Sequence, residues 1–370
     1  MRFPEFSGEW KESLLQDVAT LSKGAGISKE LLSKEGNPCI LYGELYTKYN
    51  SEVITEIYSR TNVDLKNLVL SKKNDVIIPS SGETAIDIST ARCVPFDNIF
   101  LGGDLNIIRL NGHDGRFFSY QLNGVRRLDV AKVAQGVSVV HLYGESLRRL
   151  KVRFPRKEEQ EKIAAFMTVV DERIQTQIGA IEKIESLISC LYDKLFQTET
   201  GETKPLKEIC QIRKGEQVNS DQLSEKGEYY VMNGGITPSG YWNKFNTEYR
   251  TISISEGGNS CGYVQYNKHR FWSGGHCYTL HPDNERVLTK YLFHYLKYRQ
   301  QDIMALRIGS GLPNIQKKDL ENYRILITPF AKQMHIVEIL DGFYCKLNIE
   351  EQLLEQYKLQ KQYLLSQMFV

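Results

Sequence analysis

A chain of 370 residues, 41% hydrophobic and 25% charged, is long enough for two ordinary domains and has the composition of a water-soluble protein. Seven cysteines, odd in number and without a C-x-x-C pair, exclude a disulfide framework. A net charge of +2 excludes a protein that neutralises many phosphates unaided, so any DNA binding would need positive charge from partners. No apolar run is long enough to cross a bilayer, and Met1-Arg2-Phe3-Pro4-Glu5 opens no signal peptide, so a cytoplasmic location is expected.

The first globular stretch, 1–157, opens with Trp10-Lys-Glu-Ser-Leu-Leu-Gln-Asp-Val and a turn at Ser22-Lys-Gly-Ala-Gly. An apolar strand, Asn37-Pro-Cys-Ile-Leu-Tyr-Gly43, follows, then a region read as helix and loop from Tyr49 to Leu70. Asp75-Val-Ile-Ile-Pro-Ser-Ser-Gly82 is a second apolar strand with a Ser/Gly turn, and Ile99-Phe-Leu-Gly-Gly-Asp104 carries a Gly-Gly turn. The stretch closes with Gly136-Val-Ser-Val-Val-His-Leu and an alternating strand, Leu150-Lys-Val-Arg-Phe-Pro155.

The region 158–198 then places Ile163, Met167, Val170, Ile174, Ile178, Ile181, Ile184, Ile188, Leu191 and Leu195 at steps of three and four. That is one stripe of a helix roughly 60 Å long. Such a helix needs a partner of similar length. The polar residues 198–204 read as a linker into a second globular stretch, 199–330, and a second helical run fills 331–370 with Ile336, Leu340, Phe343, Leu347, Leu354, Tyr357, Leu364 and Met368.

The second half repeats the first. At one constant spacing Gln160 falls on Gln333, Ile163 on Ile336, Met167 on Leu340, Phe196 on Phe369 and Gly136 on Gly309. Tyr230-Val-Met-Asn-Gly-Gly235 echoes the strand that ends at Gly43, Arg250-Thr-Ile-Ser-Ile-Ser-Glu-Gly257 the one that ends at Gly82, and Phe271-Trp-Ser-Gly-Gly-His276 the Gly-Gly turn. The spacing shortens between these motifs, so the first half carries extra residues within 44–74. Pro155 and Pro329 stand where each helix begins, with Thr328 as a further cap. The chain is therefore read as an internal duplication, each half a globular unit followed by a long helix. The turns keep their glycines, which permit positive φ or close backbone approach, while the residues around them differ.

Common catalytic signatures are absent. No Gly-Lys dipeptide exists for a phosphate loop, Asn37-Pro38 is followed by Cys39 and so fails the adenine-methyltransferase pattern, and no acidic-x-Lys follows the lone Pro282-Asp283. Cys261, His269, His276, Cys277 and His281 match no common zinc spacing, and neither His141 nor His276 sits in a recognisable nucleophile or acid–base pair. No catalytic or metal residue is assigned. The basic run Arg148, Arg149, Lys151, Arg153, Arg156 and Lys157 reads equally as a solvated face or a phosphate track.

The ordered set of these motifs, with Glu159-Gln160-x-x-Ile163, Asn233-Gly-Gly-Ile-x-Pro-Ser-Gly-Tyr241 and Gly309-Ser-Gly-Leu-Pro-Asn-Ile315, resembles the specificity subunits of type I restriction–modification systems over essentially the whole chain. The second helix departs from the first, because Leu340-Asp341 sits earlier than Val170-Asp171. The resemblance implies an α+β fold with two similar target recognition domains separated by two long antiparallel helices. It also implies a non-catalytic DNA-recognition role, reading a bipartite asymmetric target and docking two methyltransferase subunits and, through them, restriction motor–nuclease subunits. S-adenosylmethionine, ATP and magnesium would belong to those partners, with no cofactor on this chain. The competing readings are a plain coiled-coil scaffold and an unrecognised methyltransferase or nuclease. Within the resemblance, turn position and residue type nominate Tyr46, Lys48, Ser80, Ser81, Gly82, Gly102 and Gly103 for DNA contact in the first half. In the second half they nominate Asn233, Gly234, Gly235, Ser239, Tyr241, Glu256, Gly257, Asn259, Gly274 and His276. The helix pair is expected to meet through Ile163, Met167, Val170, Ile174, Ile181, Leu191 and Leu195 on one side and Ile336, Leu340, Phe343, Leu347, Leu354 and Met368 on the other.

Overall fold

The computed structural model describes residues 1–63, 68–136, 139–197, 200–309 and 311–369. Part of the expected 44–74 insertion (64–67), Val137 and Ser138, the first two residues of the expected linker (198–199), Ser310 and Val370 lie outside the described residues. The chain forms two compact units, one of Met1–Gly179 with Gln352–Val370 and one of Ala180–Glu351.

In the first unit a four-stranded antiparallel sheet runs in the order Ala19–Lys23, Leu105–Leu110, Asp75–Pro79, Arg92–Val94. In the second, Cys210–Lys214, Cys277–Pro282, Thr251–Ser255 and Val264–Asn267 take the same order and the same antiparallel sense. A smaller sheet accompanies each. Asn37–Ile40 pairs in parallel with Phe100–Leu101, and Tyr229–Met232 pairs in parallel with Phe271–Ser273. The alternating strand before each long helix, Lys151–Phe154 or Arg324–Ile327, pairs with the opening strand of its own half, Lys11–Leu14 or Glu202–Pro205. The two halves thus share strand order, pairing sense and crossover. The extra residues of the first half build the helix Glu44–Thr47 and the strands Ser59–Thr61 and Val69–Leu70; Ser59–Thr61 holds the place of Gly240–Trp242, and Val69–Leu70 with the earlier strand Leu32–Ser33 widens the smaller sheet from three strands to five. The sequence reading of 49–70 as helix and loop is corrected here: the strands are too short, at two or three residues, for a period to show.

The long helices are Lys157–Gln197 and Phe330–Met368. Each begins in one way. Gln160 accepts the Asp114 N–H through Oε1 (3.1 Å) and donates through Nε2 to Pro155 O (2.9 Å); Gln333 accepts the Leu288 N–H (2.9 Å) and donates to Thr328 O (2.9 Å). Both glutamines are buried, so each satisfies backbone groups that would otherwise be costly to hide. The expected Thr328 cap does not form. Its buried hydroxyl has no hydrogen-bond partner among the described residues, and Pro329 O accepts the N–H groups of Lys332 and Gln333 in the first turn.

The helices run in opposite directions. In the first unit the start of the first helix (Ile163, Met167, Val170) shares a core with the end of the second (Leu364, Leu365, Met368), and Arg173 lies over the Tyr357 ring and donates to its hydroxyl (2.7 Å). In the second unit the end of the first helix (Ile184, Ile188, Leu191, Tyr192, Leu195, Phe196) shares a core with the start of the second (Ile336, Leu340, Phe343, Leu347). Ile174 is buried, whereas Ile181 and Leu354 are only half-buried. Tyr192 and Phe196 are buried on the same stripe as the aliphatic residues, although the aliphatic pattern does not include them.

The offset between Asp171 and Asp341 has a physical consequence. Asp171 accepts from Tyr120 Oη (2.8 Å) and pairs with Lys361 (2.6 Å), which also binds Glu52. Burial and the nearby Glu52 charge hold the Asp171 carboxyl up at about 6, while Lys361 and Arg92 draw Glu52 down. Asp341 instead meets Lys290 and the buried His294 (3.1 Å), whose other nitrogen lies 3.3 Å from Tyr192 Oη. Burial lowers the His294 pKa and favours the neutral ring.

Replacing Lys361 with Ala leaves two buried carboxylates without their cation, which is expected to cost about 3–5 kcal/mol near neutral pH. Protonation relieves that charge, so the loss should shrink as pH falls through 6. Urea unfolding of wild type and K361A at pH 5 and pH 8 measures this; an equal loss at both pH values would refute the charge account.

Candidate nucleic-acid interface

Four loops at the same edge of each half are held by the same three backbone hydrogen bonds. In the first half Gly102 N–H donates to Ile40 O (2.9 Å), Ser80 N–H to Asp104 O (2.8 Å) and Leu142 N–H to Ser80 O (2.9 Å). In the second, Gly274 N–H donates to Met232 O (2.8 Å), Glu256 N–H to His276 O (2.9 Å) and Ile315 N–H to Glu256 O (2.8 Å). The last of these loops is fixed further by the pairing of Ser81–Gly82 with Val140–His141, matched by the bridge between Gly257 and Asn314. The loops lie where strands end, so a rigid sheet positions each one.

The glycines make the convergence possible, mostly by their size. A Cβ on Gly24 would stand 2.1 Å from Gly102 O, one on Gly215 2.3 Å from Gly274 O, and one on Gly274 2.5 Å from Asn233 Oδ1. Gly102, Gly103, Gly274 and Gly275 do not take positive φ; close packing is the reason at Gly102, where a Cβ would stand 3.2 Å from Ile40 O, and at Gly274, whereas a Cβ on Gly103 would meet nothing nearer than 3.8 Å. Positive φ is the reason at Gly234 (87°) and at the matched pair Gly136 (122°) and Gly309 (100°).

On this shared frame the side chains differ. The first half presents half-buried Ser81 and Gly82 and exposed Asp104 and His141, with Ser80 buried and committed through its backbone. Lys48, Gly102 and Gly103 line one cavity of about 590 Å³ with Ile27, Leu41 and Glu44. Lys48 is tied to Glu44 (2.6 Å), and Tyr46 is partly exposed on the short helix beside it. In the second half Asn233 Oδ1 accepts the His276 N–H (3.1 Å), and Ser255 Oγ donates to Gly234 O. Glu256 Oε1 accepts from Lys214 Nζ (2.6 Å) and Tyr278 Oη (3.0 Å), leaving Oε2 buried, without a hydrogen bond among the described residues and 3.9 Å from His276 Nδ1. Gly235 is half-buried and Ser239 and Asn259 are exposed on the same loops. Tyr241 is set apart: it sits within the strand Gly240–Trp242, its backbone paired with Ser224 and Tyr230. Lys214 was not singled out from sequence, although its place beside Gly215 repeats Lys23-Gly24 and marked it.

Several of the other charged and metal-type residues have local partners. Arg148 and Arg149 face Glu145, Lys151 pairs with Glu12 (3.1 Å) and Lys157 with Glu161 (3.9 Å). Cys261 Sγ donates to Glu256 O (2.9 Å), and the His281 ring lies 3.0 Å from Thr279 Oγ1. Among the described residues no three His, Cys, Asp or Glu side chains gather as a metal site, and no helix is long and apolar enough to cross a membrane.

Comparison with known families decides what kind of protein carries this paired frame. The model of the type I restriction modification DNA specificity domain matches twice, over residues 7–186 and 198–359. The chain belongs to that family. It is a specificity subunit of the type I restriction–modification class, with the two-domain, long-helix α+β fold of that class. It is 23% identical over 367 residues to a protein of Mycoplasma genitalium named as a type I specificity subunit, covering 94% of this chain and 89% of that one. A Mycoplasma pneumoniae protein named in the same way is 32% identical over 164 residues, which is 44% of each chain. The crystal structure of a type I restriction–modification S subunit from M. genitalium superposes with a TM-score of 0.71 at 22% identity, covering 100% of this chain and 99% of that one. A chain from a study of complex assembly and conformational transition in the type I system gives 0.58 at 17% identity, over 98% and 97%.

Alanine at Gly24 or Gly215 is expected to destabilise its own unit by about 1–3 kcal/mol, because the methyl must push backbone carbonyls apart. Hydrogen exchange at the Gly102 and Gly274 loops checks this; unchanged protection in both variants would show that the frame tolerates the methyl.

Proposed function

We propose that this specificity subunit reads a bipartite, asymmetric DNA target, each half presenting one loop cluster to one half-site. The observation that carries the reading is the pair of clusters with equivalent backbone bonds and unlike side chains, Ser80 and Asp104 standing where the second half has Glu256 and His276. A conserved frame with exchanged side chains is suited to the same docking geometry on two different sequences. Asparagine, histidine and carboxylate groups discriminate base edges, whereas serine and backbone N–H groups hold phosphates. The long helices would fix the spacer between half-sites, since a helix of about 60 Å exceeds the 34–36 Å turn of B-DNA.

On this reading the subunit performs no catalysis and works in the cytoplasm. It docks two methyltransferase subunits, and restriction motor–nuclease subunits join through them. S-adenosylmethionine, ATP and magnesium act on those partners. The near-neutral charge of the chain agrees with shared responsibility for the phosphates.

Mapping methylated bases in host genomes with and without this gene tests the reading. A split motif that disappears with the gene is expected; an unchanged methylation pattern would refute it. Once the motif is known, Asn233→Ala should weaken binding through the second half-site by about 1–3 kcal/mol and leave the first unaffected. Competition with duplexes altered in one half at a time measures this, and equal loss at both halves would contradict a local role.

A further inference from the structure

The smaller sheet of the second half has an outer face that the loop cluster does not use. Tyr229 pairs with Trp242 and Val231 with Trp272 across its strands, so side-chain alternation puts these four on one face. Val231 is buried, while Trp242 and Trp272 are half-exposed and meet edge to face at 4.4 Å. Lys244 lies over the Trp242 ring (5.3 Å), Arg270 over Phe245 (4.7 Å), and Phe245 against Tyr229 (5.0 Å). Exposed Arg250 and Lys268 extend the positive charge, against Glu248, which pairs with Arg270 (2.9 Å), and Glu228, which accepts from Tyr229 Oη (2.6 Å). Among the described residues the equivalent face of the first half is covered. Its equivalent sheet carries added strands, and an apolar cluster of Ile27, Cys39, Leu41 and Phe100 with Leu32 and Leu68 packs there.

The position of this face identifies its occupant. Trp242 follows the exposed loop residue Ser239 by three residues, which puts it roughly 10 Å behind the loop tips. The major groove is about 8.5 Å deep, so tips on its floor bring Trp242 and Lys244 level with the phosphates along its rim. Cations stacked on rigid rings are pre-oriented for a polyanion, and the rings cover sugar edges without reading bases.

We propose that the Trp242–Trp272 face, with Lys244 and Arg270, is a wall that grips the sugar–phosphate strand beside the second half-site. This rests on the reading that the adjacent loop cluster enters a DNA groove. It makes the two halves unequal: the second grips and reads, while the first reads with less backbone contact of its own.

The test uses the full chain assembled with its methyltransferase partner and a fluorescein-labelled duplex bearing the methylated motif, titrated by anisotropy across a salt series. For K244A/R270A, affinity at 0.15 M salt should fall by about tenfold and the log–log salt slope should flatten by about two. Preference for the motif over a scrambled duplex should stay unchanged. A variant that loses that preference would make these residues base readers and overturn the wall, as would unchanged affinity and slope. Wild-type complex without any preference would overturn the loop reading itself. A second measurement leaves the wall intact: with 5-hydroxytryptophan incorporated into this subunit alone before assembly and excited beyond the partner's tryptophans, a W10F background leaves only positions 242 and 272 to report, and the motif duplex should protect them from iodide quenching. Unchanged quenching would overturn the proposal.

Discussion

A helix of some forty residues cannot bury its own apolar stripe, and the ends of the two long helices find cover through matching aromatic contacts. Phe369, after the second helix, packs on Phe117 with ring centroids 5.1 Å apart. Phe196, in the last turn of the first, packs on Tyr291 at 5.9 Å and stacks on Tyr298 at 5.3 Å. Phe369 and Phe196 occupy corresponding places in the repeat, as do Phe117 and Tyr291. Each compact unit is therefore built from one globular half, the start of one long helix and the end of the other. Sequence order and structural unit do not coincide. The first unit is complete only when the last residues of the chain have joined it, and there the amino-terminal nitrogen reaches Gln367 O.

Around this shared plan the two units are fastened by different chemistry. The first uses buried charge, with Lys361 between Glu52 and Asp171 and the hydroxyl of Tyr120 beside them. The second uses rings and a neutral imidazole, Tyr192, His294 and Tyr344, with Asp341 at the margin. A buried ion pair is an expensive fastening whose merit is positional, because one partner alone is costly and no other register satisfies both acids. Duplicated halves could otherwise bind each other's helices, and unlike fastenings give each helix end one proper seat.

The duplication was legible because the Gln160/Gln333 clasp, the Gly136/Gly309 turns and the phenylalanines at the helix ends hold one spacing. The strands that end in the glycine turns were legible too, since runs such as Val76-Ile-Ile and Thr251-Ile-Ser-Ile are buried on both faces. Residues such as Lys361 were not, because a lone lysine in a polar run carries no sign that tertiary packing will bury it. Nor could sequence separate Tyr241 from the other turn candidates, since its distance from the loops is set by strand register. The role of the Gly-Gly pairs was legible only in part: sequence marked them as special, but at Gly102 and Gly274 close packing rather than backbone sign is the cause.

The central claim is that the halves are two copies of one reading frame, each responsible for its own part of the target. The most direct measurement replaces residues 202–327 with a second copy of 11–154 and maps the methylated motif of cells carrying the chimera. The account predicts a motif in which the first half-site occurs twice, as an inverted pair. A chimera that still methylates the original asymmetric motif would contradict it.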